Sequence, residues 1–241
     1  MSKKVAIIST CAINTEEYKA FPREIEQIRS MMALERPTWD YHFFDIFNGE
    51  FPDIAVFDAF VYSGSPSSVN DNDAWLTGMF DYIRTVFAAE KPQVGLCFGH
   101  QAIAKALGGR VDYSPLGWSI GTVTTDYTDH TEWMTPALPT LRLFASHNEQ
   151  VLQLPAGARL LAKTAECPHA AFSIDNRVFA TQHHPEMEKA FVEHIVQIES
   201  ASLTPAQIAK FTQSMVQPDD SKVFAGWIAQ FIENASENAI K

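Results

Sequence analysis

Short apolar segments alternate with amphipathic helical segments through the first 107 residues of this chain. The segments with strand character are residues 5–9, 41–45, 59–62 and 94–96. Helical periodicity covers residues 23–35, 75–89 and 100–107. Because a helix between two strands brings the chain back in the same direction, this order predicts a parallel sheet covered by helices on both faces.

The pattern changes after residue 110, where short strands follow one another with Gly, Pro and Asn between them. These predicted strands are residues 111–113, 119–125, 141–144, 159–163, 170–174 and 178–181. We expect some of them to form an antiparallel extension of the sheet. The predicted fold class is therefore α/β, with three layers and a mostly parallel central sheet.

The chain after Glu186 is predicted to be helical. Residues 188–199 form one amphipathic stretch, and Thr204 followed by Pro205 is typical of a helix start, with Thr204 as the N-cap. Residues 220–234 place several large apolar side chains on one side. That side either packs against the sheet or forms the contact with a second copy of the chain in a homo-oligomer, or with another partner.

Length and composition limit the class of protein. The chain has 241 residues, 46% of them hydrophobic, which is enough for one domain over residues 1–241, with a core of about 4–198 and a helical tail of about 199–241. A net charge of −11 argues against nucleic-acid binding. No stretch approaches the ~20 apolar residues of a membrane span. The three cysteines are widely separated, which favours a reducing compartment, so a cytoplasmic location is expected.

A cysteine lies at the turn between a predicted strand and a predicted helix. Cys97 is flanked by Gly95 and Gly99 in a Gly-x-Cys-x-Gly pattern, the nucleophile-elbow arrangement with sulfur replacing the serine oxygen. Glycine allows so tight a turn, and the N-terminus of a helix favours a thiolate. The alternative is a small cysteine buried in the core of the sheet.

A reactive cysteine needs a base, and residues 183–186 offer a candidate pair after the last predicted strand. Residues i and i+2 of an extended chain point the same way, so His184 and Glu186 can share a face while His183 points to the other. Glu186 would then hold one ring nitrogen while the other faces Cys97. Two adjacent histidines also occur in loops or metal sites, but no further ligands lie at metal-binding spacing, so no metal or cofactor is expected.

Another predicted strand runs into the turn Ser63-Gly64-Ser65-Pro66. In an open α/β sheet, ligands bind beyond the carboxyl ends of the strands, where both this turn and Cys97 are expected. Backbone N–H groups of Ser65 and Phe98, with Gly64 shaping the turn, could form an oxyanion hole.

Three separated segments resemble the class I glutamine amidotransferases. They are Gly95-Leu96-Cys97-Phe98-Gly99-His100-Gln101, Ser146-His147-Asn148-Glu149-Gln150-Val151 and Thr181-Gln182-His183-His184-Pro185-Glu186. The resemblance covers roughly residues 4–198. It implies a Cys97–His184–Glu186 triad that attacks the side-chain amide of glutamine. It also implies that Gln101 and the backbone around Ser146 and His147 hold the amino-acid end of the substrate.

The chain departs from the family pattern at two positions. Ser65 stands where the usual Ser-Gly-Gly-Pro has its second glycine, and Glu149 stands where Asp is usual. A backbone N–H from serine serves equally well if its φ is negative. Both features resemble free-standing members, including γ-glutamyl peptidases, more than the glutaminase domain of guanosine-monophosphate synthase.

The expected function is that of a glutaminase or amidotransferase. Cys97 would form a γ-glutamyl thioester and release ammonia, and water would then release glutamate. We expect the ammonia acceptor, where there is one, to be a separate synthetase protein. The alternative enzyme is a γ-glutamyl peptidase or hydrolase. The alternative from another class is a non-catalytic stress or interaction protein on the same fold, which would need none of the three triad residues.

Overall fold

The computed structural model describes residues 2–11 and 18–238. The strands are β1 Lys4–Ser9, β2 Asp40–Asp45, β3 Ala59–Tyr62, β4 Gln93–Leu96, β5 Arg110–Tyr113, β6 Ser119–Tyr127, β7 Thr140–His147, β8 Glu149–Gln153, β9 Arg159–Lys163, β10 Ala171–Ile174 and β11 Val178–Thr181. The helices are α1 Glu24–Glu35, α2 Ala74–Ala88, α3 Phe98–Ala106, α4 Lys189–Ile198, α5 Pro205–Ser214 and α6 Ser221–Asn238.

Nine of these strands form the central sheet in the order β2-β1-β3-β4-β11-β10-β9-β6-β7. The strands from β2 to β11 in this order are parallel, and those from β11 to β7 are antiparallel. The last strand in sequence therefore lies next to β4, with Thr181 opposite Leu96. Because parallel strands end at the same edge, the segments after β3, β4 and β11 meet there.

The predicted α/β class, with its antiparallel extension and helical C-terminal tail, is confirmed. Strand β8 was not predicted, and it pairs with β5 in a separate two-stranded antiparallel sheet. Only Asn148 separates β7 from β8, so no turn-forming stretch marks where the chain leaves the large sheet. Strand β7 also continues past the predicted end at residue 144 to His147.

Alternate residues of β1 face two different cores. Val5 and Ile7 belong to a cluster with α1 and α6, whereas Ala6 and Ile8 belong to a cluster with α2 and α3. This period-two division covers both faces of the sheet with helices. The apolar side of α6 packs against the sheet, and Phe224 stacks on Phe179 with ring centroids 5.0 Å apart.

Helices α4 and α5 pack on the antiparallel part of the sheet in a third apolar cluster. Helix α5 begins as predicted, because the Thr204 side chain accepts a hydrogen bond from the Gln207 backbone N–H and Pro205 is the first helical residue. Across residues 2–11 and 18–238, no helix combines the length and apolar character needed to cross a membrane.

Candidate active site

Cys97 occupies the turn between β4 and α3, and its backbone is strained. Its φ of 50° and ψ of −101° lie outside the regions that L-residues ordinarily adopt. A Cβ atom on Gly95 would lie 2.6 Å from the carbonyl carbon and oxygen of Gly99, and a Cβ atom on Gly99 would lie 2.5 Å from the Tyr62 carbonyl oxygen. Both flanking positions therefore require glycine, as the tight-turn interpretation predicted.

The Cys97 side chain lies at the amino end of α3, which starts at Phe98 rather than at the predicted residue 100. The first N–H groups of a helix have no intrahelical acceptor, and the positive end of the helix dipole favours a negatively charged thiolate at this position. The Cys97 backbone N–H donates to the Thr181 carbonyl oxygen at 2.9 Å, which joins the turn to the end of β11. Cys97 is 5% exposed, so its sulfur is largely shielded from solvent.

His184 and Glu186 form a buried pair. His184 Nδ1 lies 2.7 Å from Glu186 Oε1, and the two residues are 3% and 6% exposed. The His184 backbone N–H donates to the Phe144 carbonyl oxygen at 2.8 Å, which fixes the segment against β7. Burial alone would lower the pKa of His184, but the neighbouring Cys97 and Glu186 raise it above its ordinary value by stabilising the imidazolium.

The adjacent His183 has different surroundings. Its Nδ1 lies 3.1 Å from the Thr125 hydroxyl, and burial together with neighbouring histidines lowers its pKa well below the ordinary value. The two rings therefore have separate partners, as expected from the alternation of an extended chain. Of the two, it is His184 that lies beside a carboxylate and the cysteine.

Gly64 lies between the histidine and the cysteine. A Cβ atom at Gly64 would be 2.8 Å from Cε1 of His184 and 3.7 Å from Cβ of Cys97. These two distances place three segments that are far apart in sequence at one point. The predicted convergence of Cys97, His184, Glu186 and the turn at Gly64 is therefore present in the fold.

The turn at Gly64 is held by Thr10, which sequence reasoning did not identify. The Thr10 backbone N–H donates to the Ser63 hydroxyl at 3.0 Å, and the Thr10 hydroxyl donates to the Ser63 carbonyl oxygen at 3.0 Å. The Gly99 N–H donates to the same Ser63 carbonyl at 3.1 Å, which ties the turn to α3. Thr10 directly follows β1, and that position at the carboxyl end of a parallel strand was the sequence signal that could have identified it as a site residue.

The backbone of Ser65 has the negative φ that a serine needs in order to replace the second glycine of the family pattern. The non-glycine residues with positive φ, among those the structure describes, are Glu90, Cys97 and Asp175. The φ of Ser65 is therefore negative, as is ordinary for an L-residue, so its backbone N–H can take the place of a glycine N–H. Phe98 buries its side chain and stacks on Trp75 at 5.8 Å, so its predicted contribution rests on the backbone alone.

Hydrogen bonds connect Cys97 to the predicted substrate-binding residues. Gln182 Nε2 lies 3.5 Å from Cys97 Sγ, and Gln182 Oε1 accepts from Gln101 Nε2 at 3.1 Å. Gln101 Nε2 also donates to the Glu149 carbonyl oxygen at 2.9 Å, and His147 Nδ1 lies 3.0 Å from that oxygen. The role of Gln182 as the link was missed, although it lies within the Thr-Gln-x-His-Pro-Glu motif.

The Glu149 side chain is also held in place. Both carboxylate oxygens accept from the Ser68 hydroxyl, at 2.7 and 2.8 Å. Burial raises the pKa of Glu149, and the hydrogen bond from Ser68 partly offsets that effect. The glutamate that replaces the usual aspartate at position 149 is therefore hydrogen-bonded to Ser68, on the loop after the Gly64 turn.

These residues line one cleft of about 810 Å³. Its walls include all the predicted site residues except Phe98, namely Gly64, Ser65, Cys97, Gln101, Ser146, His147, His184 and Glu186. The cleft also contains aromatic residues with no predicted role in the site, among them Tyr18 and Phe191. In the described part of the chain, no group of three or more His, Cys, Asp or Glu residues is arranged to hold a metal ion.

Comparisons with known proteins show which sequences and structures this chain is similar to. Gamma-glutamyl peptidase 3 of Arabidopsis thaliana is 30% identical over 205 residues, which cover 79% of this chain and 81% of the peptidase. The glutamine-hydrolysing GMP synthase of Sulfolobus acidocaldarius has a subunit that is 31% identical over 137 residues, which cover 56% of this chain and 71% of that protein.

A solved structure of a Thermotoga maritima glutamine amidotransferase shares the fold. It superimposes with a TM-score of 0.77 at 19% sequence identity and covers 98% of this chain and 99% of its own. The sequence model of the family described as glutamine amidotransferase class-I matches residues 34–193, which include the Cys97 turn and the His184–Glu186 pair. This chain belongs to the class-I glutamine amidotransferase family.

Proposed function

We propose that this protein is a cysteine-dependent hydrolase of γ-glutamyl amide bonds, with Cys97 as the nucleophile. The observation that carries the proposal is the meeting of Cys97 and the buried His184–Glu186 pair at Gly64. His184 first takes the thiol proton of Cys97, then donates it to the leaving nitrogen and later takes a proton from water, and Glu186 orients its ring. A nucleophile, a base and a group that orients the base are the three parts of a catalytic triad for covalent acyl transfer.

The reaction proceeds through a thioester. The Cys97 thiolate attacks the γ-carbonyl carbon, a C–S bond forms, and the C–N bond breaks as His184 gives its proton to the leaving nitrogen. Water then attacks the thioester carbonyl while His184 takes a proton from it. The C–S bond breaks, glutamate leaves, and the thiolate–imidazolium pair is restored.

The oxyanion of each tetrahedral intermediate is assigned to the backbone N–H groups of Ser65 and Phe98. Thr10 holds the Gly64 turn through two hydrogen bonds to Ser63, so the Ser65 donor is positioned before the substrate arrives. Donors arranged in advance stabilise developing charge without reorganising during the reaction. Gly64 leaves room for the imidazole, because a side chain there would contact Cε1 of His184.

Two substrates are compatible with this chemistry. Glutamine is the substrate expected from the family, with Gln101 and the backbone around Ser146 and His147 holding its amino-acid end. Ammonia released from glutamine would pass to a separate synthetase, an arrangement supported by the relative that is named as part of a GMP synthase. The second candidate, a γ-glutamyl peptide or conjugate, is favoured by a cleft of about 810 Å³ and by the relatives named γ-glutamyl peptidases.

Glutamate release from glutamine and from a set of γ-glutamyl dipeptides tests the proposal. Cys97→Ala should lower the rate on every accepted substrate by at least ~10³-fold, as expected when a covalent nucleophile is removed. Cys167→Ala is the matched control, because Cys167 is also buried but lies outside the cleft lining. An active Cys97→Ala enzyme would exclude the thioester route.

Preferential labelling of one cysteine separates the enzyme from a non-catalytic protein on the same fold. Low concentrations of iodoacetamide should modify Cys97 before Cys167, because burial raises the pKa of the Cys167 thiol to about 12. Labelling of Cys97 that is no faster than that of Cys167, together with no glutamate release, would support the non-catalytic alternative.

A further inference from the structure

One part of the cleft is lined by apolar side chains that the reaction itself does not use. This apolar wall consists of Tyr18, Phe21, Trp118, Met187, Phe191 and Ile195. Met187 directly follows Glu186, and Phe191 and Ile195 lie one turn apart on α4. Four of these side chains, those of Tyr18, Trp118, Met187 and Phe191, are only partly buried against the third apolar cluster, so they present apolar surface to the cleft.

Aromatic contacts organise the centre of this wall. The Phe191 ring centroid lies 5.2 Å from that of Phe21, in an edge-to-face arrangement, and 6.2 Å from that of Tyr18. Such pairs hold rings in defined orientations. Phe191 therefore offers an ordered apolar surface within the same cleft as Cys97.

A different, polar group of residues is joined to the cysteine. The hydrogen-bonded series from Cys97 through Gln182 and Gln101 ends at the backbone of Glu149. The γ-glutamyl group carries an ammonium and a carboxylate, so it needs this polar part of the cleft. The apolar wall is left for the other half of the substrate.

The geometry of proton transfer also places the amine component of the substrate at the apolar wall. His184 must reach the leaving nitrogen to protonate it, so the group attached to that nitrogen extends from the His184 side of the scissile bond. The chain that continues from His184 and Glu186 leads directly to Met187 and then to Phe191 on α4. Ammonia released from glutamine carries no substituent and would contact none of these side chains.

We propose that the preferred substrates are γ-glutamyl amides whose amine component carries an aromatic or large aliphatic group, with Phe191 as the main specificity contact. This inference rests on the proposed γ-glutamyl hydrolase function and narrows its substrate class. Enclosing an aromatic or leucine side chain against such a wall increases kcat/KM by about tenfold or more over a substrate that lacks it.

The first test compares glutamine, γ-Glu-Gly, γ-Glu-Ala, γ-Glu-Leu and γ-Glu-Phe as substrates of the full chain, with kcat/KM for glutamate release as the readout. We expect kcat/KM to rise along the dipeptide series, with γ-Glu-Phe at least about tenfold above γ-Glu-Gly. Equal values for γ-Glu-Gly and γ-Glu-Phe would overturn this inference and leave the γ-glutamyl hydrolase function intact. Hydrolysis of none of them would overturn both.

The second test assigns the preference to Phe191. Phe191→Ala should lower the ratio of kcat/KM for γ-Glu-Phe over γ-Glu-Gly by about fivefold or more, and a ratio taken on one preparation is independent of the folded fraction. Phe43→Ala is the control, because Phe43 is a partly exposed phenylalanine on β2 that does not line the cleft. An unchanged ratio in Phe191→Ala would remove Phe191 from substrate recognition.

Discussion

Nδ1 of His184 lies 2.7 Å from Oε1 of Glu186, whereas the ring of the adjacent His183 is bonded to Thr125. Composition does not distinguish the two histidines, but their partners do. The carboxylate fixes the His184 ring, and in the proposed reaction the other ring nitrogen faces Cys97 while the carboxylate stabilises the imidazolium.

This difference predicts unequal effects of substitution. His184→Ala should reduce glutamate release nearly as much as Cys97→Ala, because nucleophile and base act as a unit. Glu186→Ala should cost less, since an unoriented imidazole still works part of the time. His183→Phe should retain most activity once the folded fraction is matched by circular dichroism. An inactive His183→Phe enzyme beside an active His184→Ala enzyme would reverse the assignment.

Gly64→Ala should inactivate the enzyme while leaving it folded. The added Cβ would lie 2.8 Å from Cε1 of His184, so the imidazole must move away from Cys97. Misplacing a catalytic group by about 1 Å can lower the rate by ~10²-fold. Ser65→Ala is the control, because it keeps the backbone N–H and should stay within a few-fold of wild type. Glutamate release by Gly64→Ala at the wild-type rate would contradict the geometry of the site.

Two glycines in different surroundings should respond oppositely to alanine. In Gly99→Ala the Cβ would lie 2.5 Å from the Tyr62 carbonyl oxygen, so the variant should lose ~2 kcal/mol or more of unfolding free energy. In Gly226→Ala the nearest atom would be 3.8 Å away, at Gln230, so replacing a glycine inside α6 should add ~1 kcal/mol. Urea unfolding of both variants measures the difference, and shifts of the same sign would contradict this account.

Acid should destabilise the fold below about pH 6.5. Burial lowers the pKa of His100 to about 3 and that of His147 to about 4, and it lowers that of His183 well below its ordinary value. The unfolded chain therefore binds protons that the folded chain does not, and stability falls as the pH drops, by ~1.4 kcal/mol per pH unit for each such histidine. His184 adds nothing to this slope, because its raised pKa keeps it charged in both states there.

His100→Leu isolates one of these histidines. Its unfolding free energy is to be measured by urea titration between pH 7 and pH 4. The slope of that free energy against pH should be smaller than in wild type by about 1.4 kcal/mol per pH unit, which corresponds to one proton fewer taken up on unfolding. The variant's absolute stability is not the readout, since the substitution also changes packing against Phe172, whose ring lies 5.1 Å from that of His100. An unchanged slope would mean that His100 does not titrate on unfolding.

Local sequence patterns predicted much of this protein. Within the described residues, the short apolar segments matched ten of the eleven strands, and the helical patterns together with the Thr204-Pro205 start matched all six helices. The Gly95 and Gly99 pattern predicted the tight turn at Cys97, and the spacing of His184 and Glu186 predicted their shared side. These features depend on neighbouring residues, so they can be read from the chain itself.

Only the tertiary structure decided which of these segments meet. Strand β11 lies beside β4 although most of the antiparallel extension separates them in sequence, and this pairing brings Thr181 and the segment after it to Cys97. No local period encodes such a pairing, because it depends on burying both faces of the whole sheet. The same holds for Thr10 on Ser63, for β8 on β5, and for Tyr18 against Phe191. In these cases the partners are far apart in sequence and interact only after the chain has packed. The candidate site residues could therefore be named from the sequence, whereas the cleft that they share is a property of the fold.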